Sequence, residues 1–326
     1  MVVRLGIVGC ARIARTAVLE IVEQVPELAV RAIASRSVET SRSWAKKYSI
    51  ETALDDYAAL IDRDDIDAVY VPLPNSLHAA WTIRALESGK AVLCEKPLAA
   101  NAAEAAEMVA AARRTGQQLV EAFHYRYHPL ADFIEQIVRG GELGELLQVD
   151  AAFEVPGALV KAGDIRLQRE LAGGALMDVG AYCVNALRWV VGHEPVVETA
   201  TAQCVGEDID GAMSARFGFE DGIAGSIRCS LIAEAFNAAL VVKGSRGALA
   251  VTNPFLPQLG HDVWIERRGV TKRYGFGTTP SYTYQARAFA VCVQNGQRAL
   301  TDAADGILNM QAIDAIYREA GMRSRG

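Results

Sequence analysis

Apolar positions in this chain follow two different patterns. Up to about residue 123, short continuously apolar runs alternate with longer stretches in which apolar residues recur every three or four positions. The runs "VVRLGIVG" (2–9), "LAVRAIAS" (28–35), "DAVYVP" (67–72), "AVLCEKP" (91–97) and "QLVEAF" (118–123) predict buried strands. Between them, "RIARTAVLEIVEQV" (12–25), "VETSRSWAKKY" (38–48), "SLHAAWTIRALESG" (76–89) and "AAEAAEMVAAARRTG" (102–116) predict helices, the last stopped by Gly116. Strands alternating with helices of this length form right-handed crossover units on a parallel sheet with both faces covered.

Beyond residue 123 the pattern changes. A helix is predicted over 128–144, "HPLADFIEQIVRGGELG". Longer alternating runs follow: "LLQVDAAFEV", "VETATAQCV", "GAMSARFGF", "IAGSIRCSLI" and "NAALVVKG". Alternation suits an open, mostly antiparallel sheet with one buried face. Helices are predicted at 174–192 and 304–320. The expected class is α/β: a doubly wound parallel sheet in residues 1–123, then an α+β domain with an open sheet in 124–326.

Composition narrows the functions. Of 326 residues, 51% are hydrophobic and 22% charged, enough apolar surface for a sizeable core. A net charge of -6 without a basic stripe argues against a nucleic-acid partner. No run reaches the roughly 18–20 apolar residues of a membrane span, and no export segment precedes the first strand. The six cysteines lie mostly in apolar runs and lack Cys-x-x-Cys or zinc spacing. They are expected to be reduced thiols of a cytoplasmic protein, and no metal site is expected.

The first candidate chemistry is "GIVGCARIA" (6–14), where strand one becomes helix one. It approximates the Gly-x-Gly-x-x-Gly/Ala dinucleotide fingerprint, with Gly9 at the tight turn and Ala14 at the helix–strand contact. Ala11 replaces the middle glycine, so the match is imperfect. Gly9, Ala11, Arg12 and Ile13 are the expected pyrophosphate contacts, at a helix N-terminus that favours anions. Strand two ends in Ser35-Arg36-Ser37 instead of the acid that bonds the ribose diol of NAD. Arg36 can pair with a 2′-phosphate, and the serines can donate to it, which favours NADP with NAD possible. The plain alternative for Arg36 is a solvated loop. "VPLPNSLHA" (71–79) stiffens the next loop with two prolines, and Asn75 or Ser76 is expected to cap the following helix. Pro72, Leu73, Pro74, Asn75 and His78 are therefore further cofactor candidates, with a first-turn helix histidine as the alternative for His78.

The second is "AVLCEKPLA" (91–99), which ends a strand at the edge where open α/β sheets bind ligands. Glu95 and Lys96 are candidate cofactor contacts there. A lysine in a partly desolvated cleft can share a proton with substrate. Taken together, "GCARIA" (9–14), "YVPLPNSLH" (70–78), "CEKPL" (94–98), "EAFHYRYHP" (121–129) and "GGALMDVGAY" (173–182) resemble the glucose–fructose oxidoreductase / inositol dehydrogenase / rhizopine catabolism (Gfo/Idh/MocA) family over nearly the whole chain.

The resemblance implies a Rossmann domain followed by an α/β domain whose open sheet often forms the oligomer interface, here a homodimer or homotetramer. It implies that Lys96 is catalytic. Asp178 and Tyr182, four apart, are expected on one helix face with Gly180 leaving room between them. Tyr182 is the candidate proton donor or acceptor, with Lys96 lowering its pKa. Asp178 is expected to orient Lys96 or bind a substrate hydroxyl. Many relatives have histidine at the Tyr182 position. Tyrosine resembles the branch holding dihydrodiol and xylose dehydrogenases and sugar ketoreductases. "GDIRLQ" (163–168) puts Arg166 near substrate or nicotinamide, and Tyr125, Arg126 and Gln285 are weaker pocket candidates. The expected activity is NADP-dependent oxidoreduction of a sugar, sugar derivative or related diol. The alternatives are a redox-neutral NAD-dependent glycoside hydrolase and a non-catalytic cofactor-binding sensor.

Overall fold

The computed structural model describes residues 2–161 and 163–326. The chain divides into two compact units: Met1–Tyr127 with Pro280–Ile307, and His128–Thr279 with Leu308–Gly326. Among the described residues, no helix is long and apolar enough to cross a membrane.

The first unit is built on six parallel strands: β1 (Val3–Val8), β2 (Leu28–Ala34), β3 (Thr52–Leu54), β4 (Ala68–Val71), β5 (Ala91–Cys94) and β6 (Leu119–Glu121). Their order is β3-β2-β1-β4-β5-β6. The winding reverses between β1 and β4, which opens a crevice outside the carboxyl ends of these strands. Every residue of β4 and β5 is buried, as a sheet covered on both faces requires. The connecting helices are α1 (Arg12–Ala14), α2 (Val38–Tyr48), α3 (Tyr57–Ile61), α4 (His78–Glu87) and α5 (Ala102–Thr115). Ser37 and Asn101 cap α2 and α5, accepting from the amides of Thr40 and Glu104 at 3.2 and 3.0 Å.

Three differences from the predicted elements have local causes. The helix expected over 12–25 is broken: three residues of α1 run into a π-turn at Arg15–Leu19 and a 3-10 turn at Val22–Gln24. Ile13, Thr16, Val18, Ile21 and Val22 are β-branched and weak helix formers, while Ala14, Ala17 and Val18 must still reach the core. The strand β3 has only three half-buried residues, too few for a periodic signal. Neither Asn75 nor Ser76 caps α4. A 3-10 turn at Asn75–Leu77 leads into it, and its first turn has no side-chain cap.

The largest difference concerns residues 280–307, which sequence reasoning gave to the second domain. The helix Ser281–Asn295 belongs to the first unit. Its Tyr282, Ala286, Phe289 and Ala290 join Val3, Leu5, Ile7, Ala14 and Val18 in one buried cluster. Burying a side chain such as Phe289 contributes about 1.5–3 kcal/mol.

The second unit begins with α6 (Pro129–Arg139) and β7 (Leu146–Pro156). A π-turn at Leu176–Gly180 runs into α7 (Ala181–Val191). Then come β8 (Val196–Gly206), β9 (Ile209–Gly218), β10 (Ala224–Ala233), β11 (Asn237–Gly244), β12 (Gly247–Thr252), β13 (Asp262–Arg267) and β14 (Val270–Tyr274). With Ser281–Asn295 as α8, the last helix is α9 (Ala303–Glu319), whose residues from Leu308 on count with this unit. The eight strands lie in the order β14-β13-β12-β11-β7-β10-β9-β8, antiparallel except for β7 beside β10. Alternation places Met213, Ala215 and Phe217 of β9 inside, with Ser214 and Arg216 exposed. The strands β12 to β14 were not anticipated. They are short, and β14 lacks a buried residue to give it a pattern.

Candidate active site

On the first unit, β1 ends at Gly9, whose φ of +117° is a conformation that side chains rarely adopt. A Cβ there would also stand 2.8 Å from Leu73 Cδ2, so the loop after β4 packs directly on this turn. The Gly9 amide donates to Ala34 O at 2.9 Å, tying the turn to the end of β2. Ala11 then starts α1 without a side-chain cap. The amides of a first helical turn lack intrahelical acceptors, so the turn around Arg12 and Ile13 presents donors to an anion. The crowding expected from Ala11 is limited, because its backbone is extended (φ -80°, ψ 147°) and it is only half-buried.

The loop after β2 adjoins this turn. Burial pushes the pKa of the Cys10 thiol up to about 11, with Ser35 opposing the rise. Arg36 is exposed. Tyr57 is braced edge-on against Trp81, with centroids 5.0 Å apart. Ser37 differs from expectation. Its hydroxyl accepts from Thr40 N and donates to Glu39 at 2.9 Å, so it serves as a helix cap and its proton is already placed.

His78 lies under the next loop. It is fully buried, and its Nδ1 and Nε2 lie 2.9 and 2.8 Å from the carbonyls of Pro97 and Leu73. Both nitrogens face backbone carbonyls, and the neutral imidazole donates to one of them. Burial pushes its pKa down, the two carbonyls oppose this, and the Lys96 charge adds to the lowering. The ring pins the Pro72–Pro74 loop to the turn after β5.

That turn carries Lys96, half-buried, joined to Pro97 by a cis peptide bond. Three buried side chains fix it. Tyr70 donates to Glu95 Oε1 at 2.5 Å, Glu121 Oε1 accepts from Leu98 N at 2.8 Å, and His78 holds the Pro97 carbonyl. Glu95 is thus engaged by Tyr70 within the protein. Tyr70 and Glu121 were missed, because an isolated polar residue inside an apolar strand reads as part of the core. Tyr125 and Arg126 sit buried in a 3-10 turn, with Tyr125 edge-on to Phe123 at 6.2 Å. Gln285 is buried within α8 of the first unit, not in the second domain.

On the second unit, Asp178 lies in the π-turn and Tyr182 in the first turn of α7. The wider π-turn, not four-residue α-helical spacing, sets their offset. Gly180 makes room for the protein itself, since a Cβ there would meet Cys229 Sγ of β10 at 2.7 Å. Tyr182 is buried with its ring packed against the stacked pair Phe153 and Phe255, centroids 5.5 and 5.6 Å away. Arg166 is clamped by Asp164 through Nε and Nη2 at 3.0 and 2.9 Å, and its Nη1 lies 3.5 Å from Asp178 Oδ2. The bond to Asp164 pushes the Arg166 pKa up, burial opposes it, and Asp178 adds to the rise. The arginine and Asp178 therefore form a fixed charged pair, able to orient hydroxyl groups from both a donor and an acceptor. Asp164 was not anticipated, although its place two residues before Arg166 was a signal for it.

Comparison with known proteins identifies the family. Residues 3–123 match the model of an oxidoreductase family with an NAD-binding Rossmann fold, and residues 133–250 match the GFO/IDH/MocA C-terminal domain. D-xylose 1-dehydrogenase (NADP(+)) 2 of Haloferax volcanii is 35% identical over 97% of this chain and 96% of its own. A 3-ketoreductase from Actinomadura kijaniata, solved with NADP and TDP-benzene, superposes with a TM-score of 0.90 at 31% identity over 98% of both chains. An aldose-aldose oxidoreductase from Caulobacter crescentus, complexed with glycerol, gives 0.91 at 25% identity over 98% of both.

Proposed function

The chain belongs to the Gfo/Idh/MocA oxidoreductase family, and we propose from this that it is an NADP-dependent oxidoreductase acting on a CH–OH group or the matching carbonyl of a sugar, sugar derivative or related diol. The observation that carries the cofactor choice is the open amide turn at Gly9–Ile13 beside an exposed Arg36, with no carboxylate at the end of β2. Gly9, Ala11, Arg12 and Ile13 hold the pyrophosphate, and Ser35 and Arg36 the 2′-phosphate. Pro72, Leu73, Pro74 and Asn75 supply the wall beside that turn. The bound dinucleotide supplies the acceptor or donor of a hydride.

Tyr182 exchanges the proton of the reacting hydroxyl, and its aromatic neighbours hold the ring in one orientation. Lys96 provides the positive charge that favours the phenolate, on a turn kept rigid by Glu95, Glu121 and His78. Arg166 and Asp178 orient substrate hydroxyls. Tyr125 and Arg126 remain structural neighbours of this edge.

The proposal includes a homodimer or homotetramer formed through the outward face of the eight-stranded sheet. There, Asp150 accepts from Ser226 and Gln148 at 2.6 and 2.7 Å, and Glu154 from Asn237 at 2.6 Å, so polar side chains are paired across neighbouring strands. Sedimentation as a monomer at micromolar concentration would remove this part. The free cysteines support a cytoplasmic location as part of this reading, which cell fractionation tests.

The functional test is an absorbance screen at the NADPH band, with NAD in parallel, over D-xylose, D-glucose, polyols, dihydrodiols and nucleotide-linked keto-sugars. Turnover of a sugar with strong NADP preference is expected. Tight NADP binding with silence across the panel would refute the proposal in favour of a redox-neutral hydrolase or a sensor.

A further inference from the structure

Asp210, near the start of β9, is fully buried and has no part in the chemistry above. Its Oδ1 accepts from Arg325 Nη2 at 2.7 Å and from the Tyr317 hydroxyl at 2.9 Å, and its Oδ2 from Leu176 N at 2.7 Å. Arg325 is equally buried. Its Nε donates to Gly173 O at 2.8 Å, and its guanidinium lies 4.3 Å from the Tyr317 ring centroid. A buried ion pair is a poor stability device, since well-packed apolar side chains often do as well or better.

What this cluster does hold is backbone. Gly173 O and Leu176 N flank the entry to the π-turn that carries Asp178. On the same stretch, Gly174 N donates to Arg166 O at 2.8 Å, Gly173 N to Gln168 O at 2.9 Å, and Asp178 N to Gly174 O at 3.0 Å. Gly174 has φ +134°, and the Asp210 carboxylate stands where its Cβ would be. Both Arg166 and Asp178 are thus suspended from Gly173–Gly174, and Arg325 grips that pair from the other side.

We infer that Arg325 is a positioning residue for substrate: from the segment after α9 it fixes the Gly173–Gly174 backbone that aims Arg166 and Asp178. The inference rests on the proposed role of those two residues in orienting a sugar. It predicts a substrate-specific defect, distinct from general loosening of the fold.

The informative variant is Arg325→Lys. A lysine keeps the buried charge beside Asp210 but lacks the Nε–H that holds Gly173. With D-xylose and NADP as probes, the KM for sugar should rise about tenfold, the scale of one lost positioning hydrogen bond. The KM for NADP and kcat should stay within about twofold, because the turns that hold the dinucleotide are untouched. Tyr317→Phe weakens the same cluster without releasing Gly173, so it should lower the melting temperature and leave the sugar KM alone. If Arg325→Lys does not fold, the double change Asp210→Asn, Arg325→Gln removes both charges together and should show the same rise in KM. Arg166→Ala is the reference. If it raises the sugar KM and the Arg325 variants do not, the inference is overturned while the site reading stands. If Arg166→Ala has no effect, or no panel sugar is turned over, the reading beneath it fails first. Parallel losses in sugar KM, NADP KM and melting temperature for Arg325→Lys would also overturn it, as the mark of a merely structural residue.

Discussion

Replacing Arg36 with alanine tests the cofactor assignment with little disturbance to the fold. The side chain is exposed, and the loop backbone is held independently, by Ser35 N on Leu54 O at 3.1 Å. The change therefore removes a charge and leaves the loop in place. A charge-assisted hydrogen bond is worth about 1.5–3 kcal/mol, and an exposed site takes the lower part of that range. Coulomb's law gives the same scale: about 1 kcal/mol at 4 Å in bulk water and about 4 at an effective dielectric near 20. A loss of about 2 kcal/mol corresponds to a roughly thirtyfold fall in kcat/KM for NADP. NAD, which lacks the 2′-phosphate, should change less than about twofold. The assay is steady-state kinetics with both dinucleotides at low and physiological ionic strength. Salt should raise the wild-type KM for NADP, because the Debye length falls from about 30 Å at 0.01 M to about 8 Å at 0.15 M. In Arg36→Ala that dependence should flatten. An equal fall for NAD and NADP, or none for either, would refute the reasoning.

Lys96→Met and Tyr182→Phe should each lower kcat by about 10²–10⁴-fold while calorimetry shows NADP still bound; survival of activity in either removes that residue from the proton path. Gly9→Ala places a Cβ against Leu73 at a φ unfavourable to side chains, at a cost of about 1–3 kcal/mol, so the melting temperature should fall and NADP binding weaken together. His78 is buried with a pKa pushed below 6.5, so the unfolded chain takes up its proton first as pH falls. The stability due to neutral His78 is complete above about pH 6.5 and declines below it, by up to about 1.4 kcal/mol per pH unit for one proton. His128 is shifted the same way, so His78→Gln should reduce the acid-side slope of a urea-melt series without abolishing it; an unchanged slope would mean that His78 is not the titrating group.

The parts legible in the sequence were those with a local cause. Parallel strands, the turn at Gly9, the Ser35-Arg36-Ser37 loop and the end of β5 each follow from a few adjacent residues. What escaped depended on partners distant in the chain. For His78 the sequence left a ribose ligand and a first-turn helix histidine both open, and gave no sign of the Leu73 and Pro97 carbonyls that face its two nitrogens. Ser37 looked like a phosphate donor, but Glu39 takes its proton. Gly180 was legible as a place of close approach, but that the group is Cys229 of β10 was not. The π-turns at Arg15–Leu19 and Leu176–Gly180 follow from tertiary packing, which no period of apolar residues records. Asp210 and Arg325, separated by 115 residues, carried no motif at all.

The return of the chain into the first unit has a consequence for its birth on the ribosome. The parallel sheet is complete in sequence by Glu121, but α8, which covers Val3, Leu5 and Ile7, is not made until nearly the last thirty residues of the chain are reached. At about 5–20 residues per second, the apolar face that α8 covers waits on the order of ten seconds for its own residues. The first unit, although it begins the sequence, therefore cannot finish folding until α8 is made, and a fragment cut after Tyr127 would inherit that unfinished surface permanently.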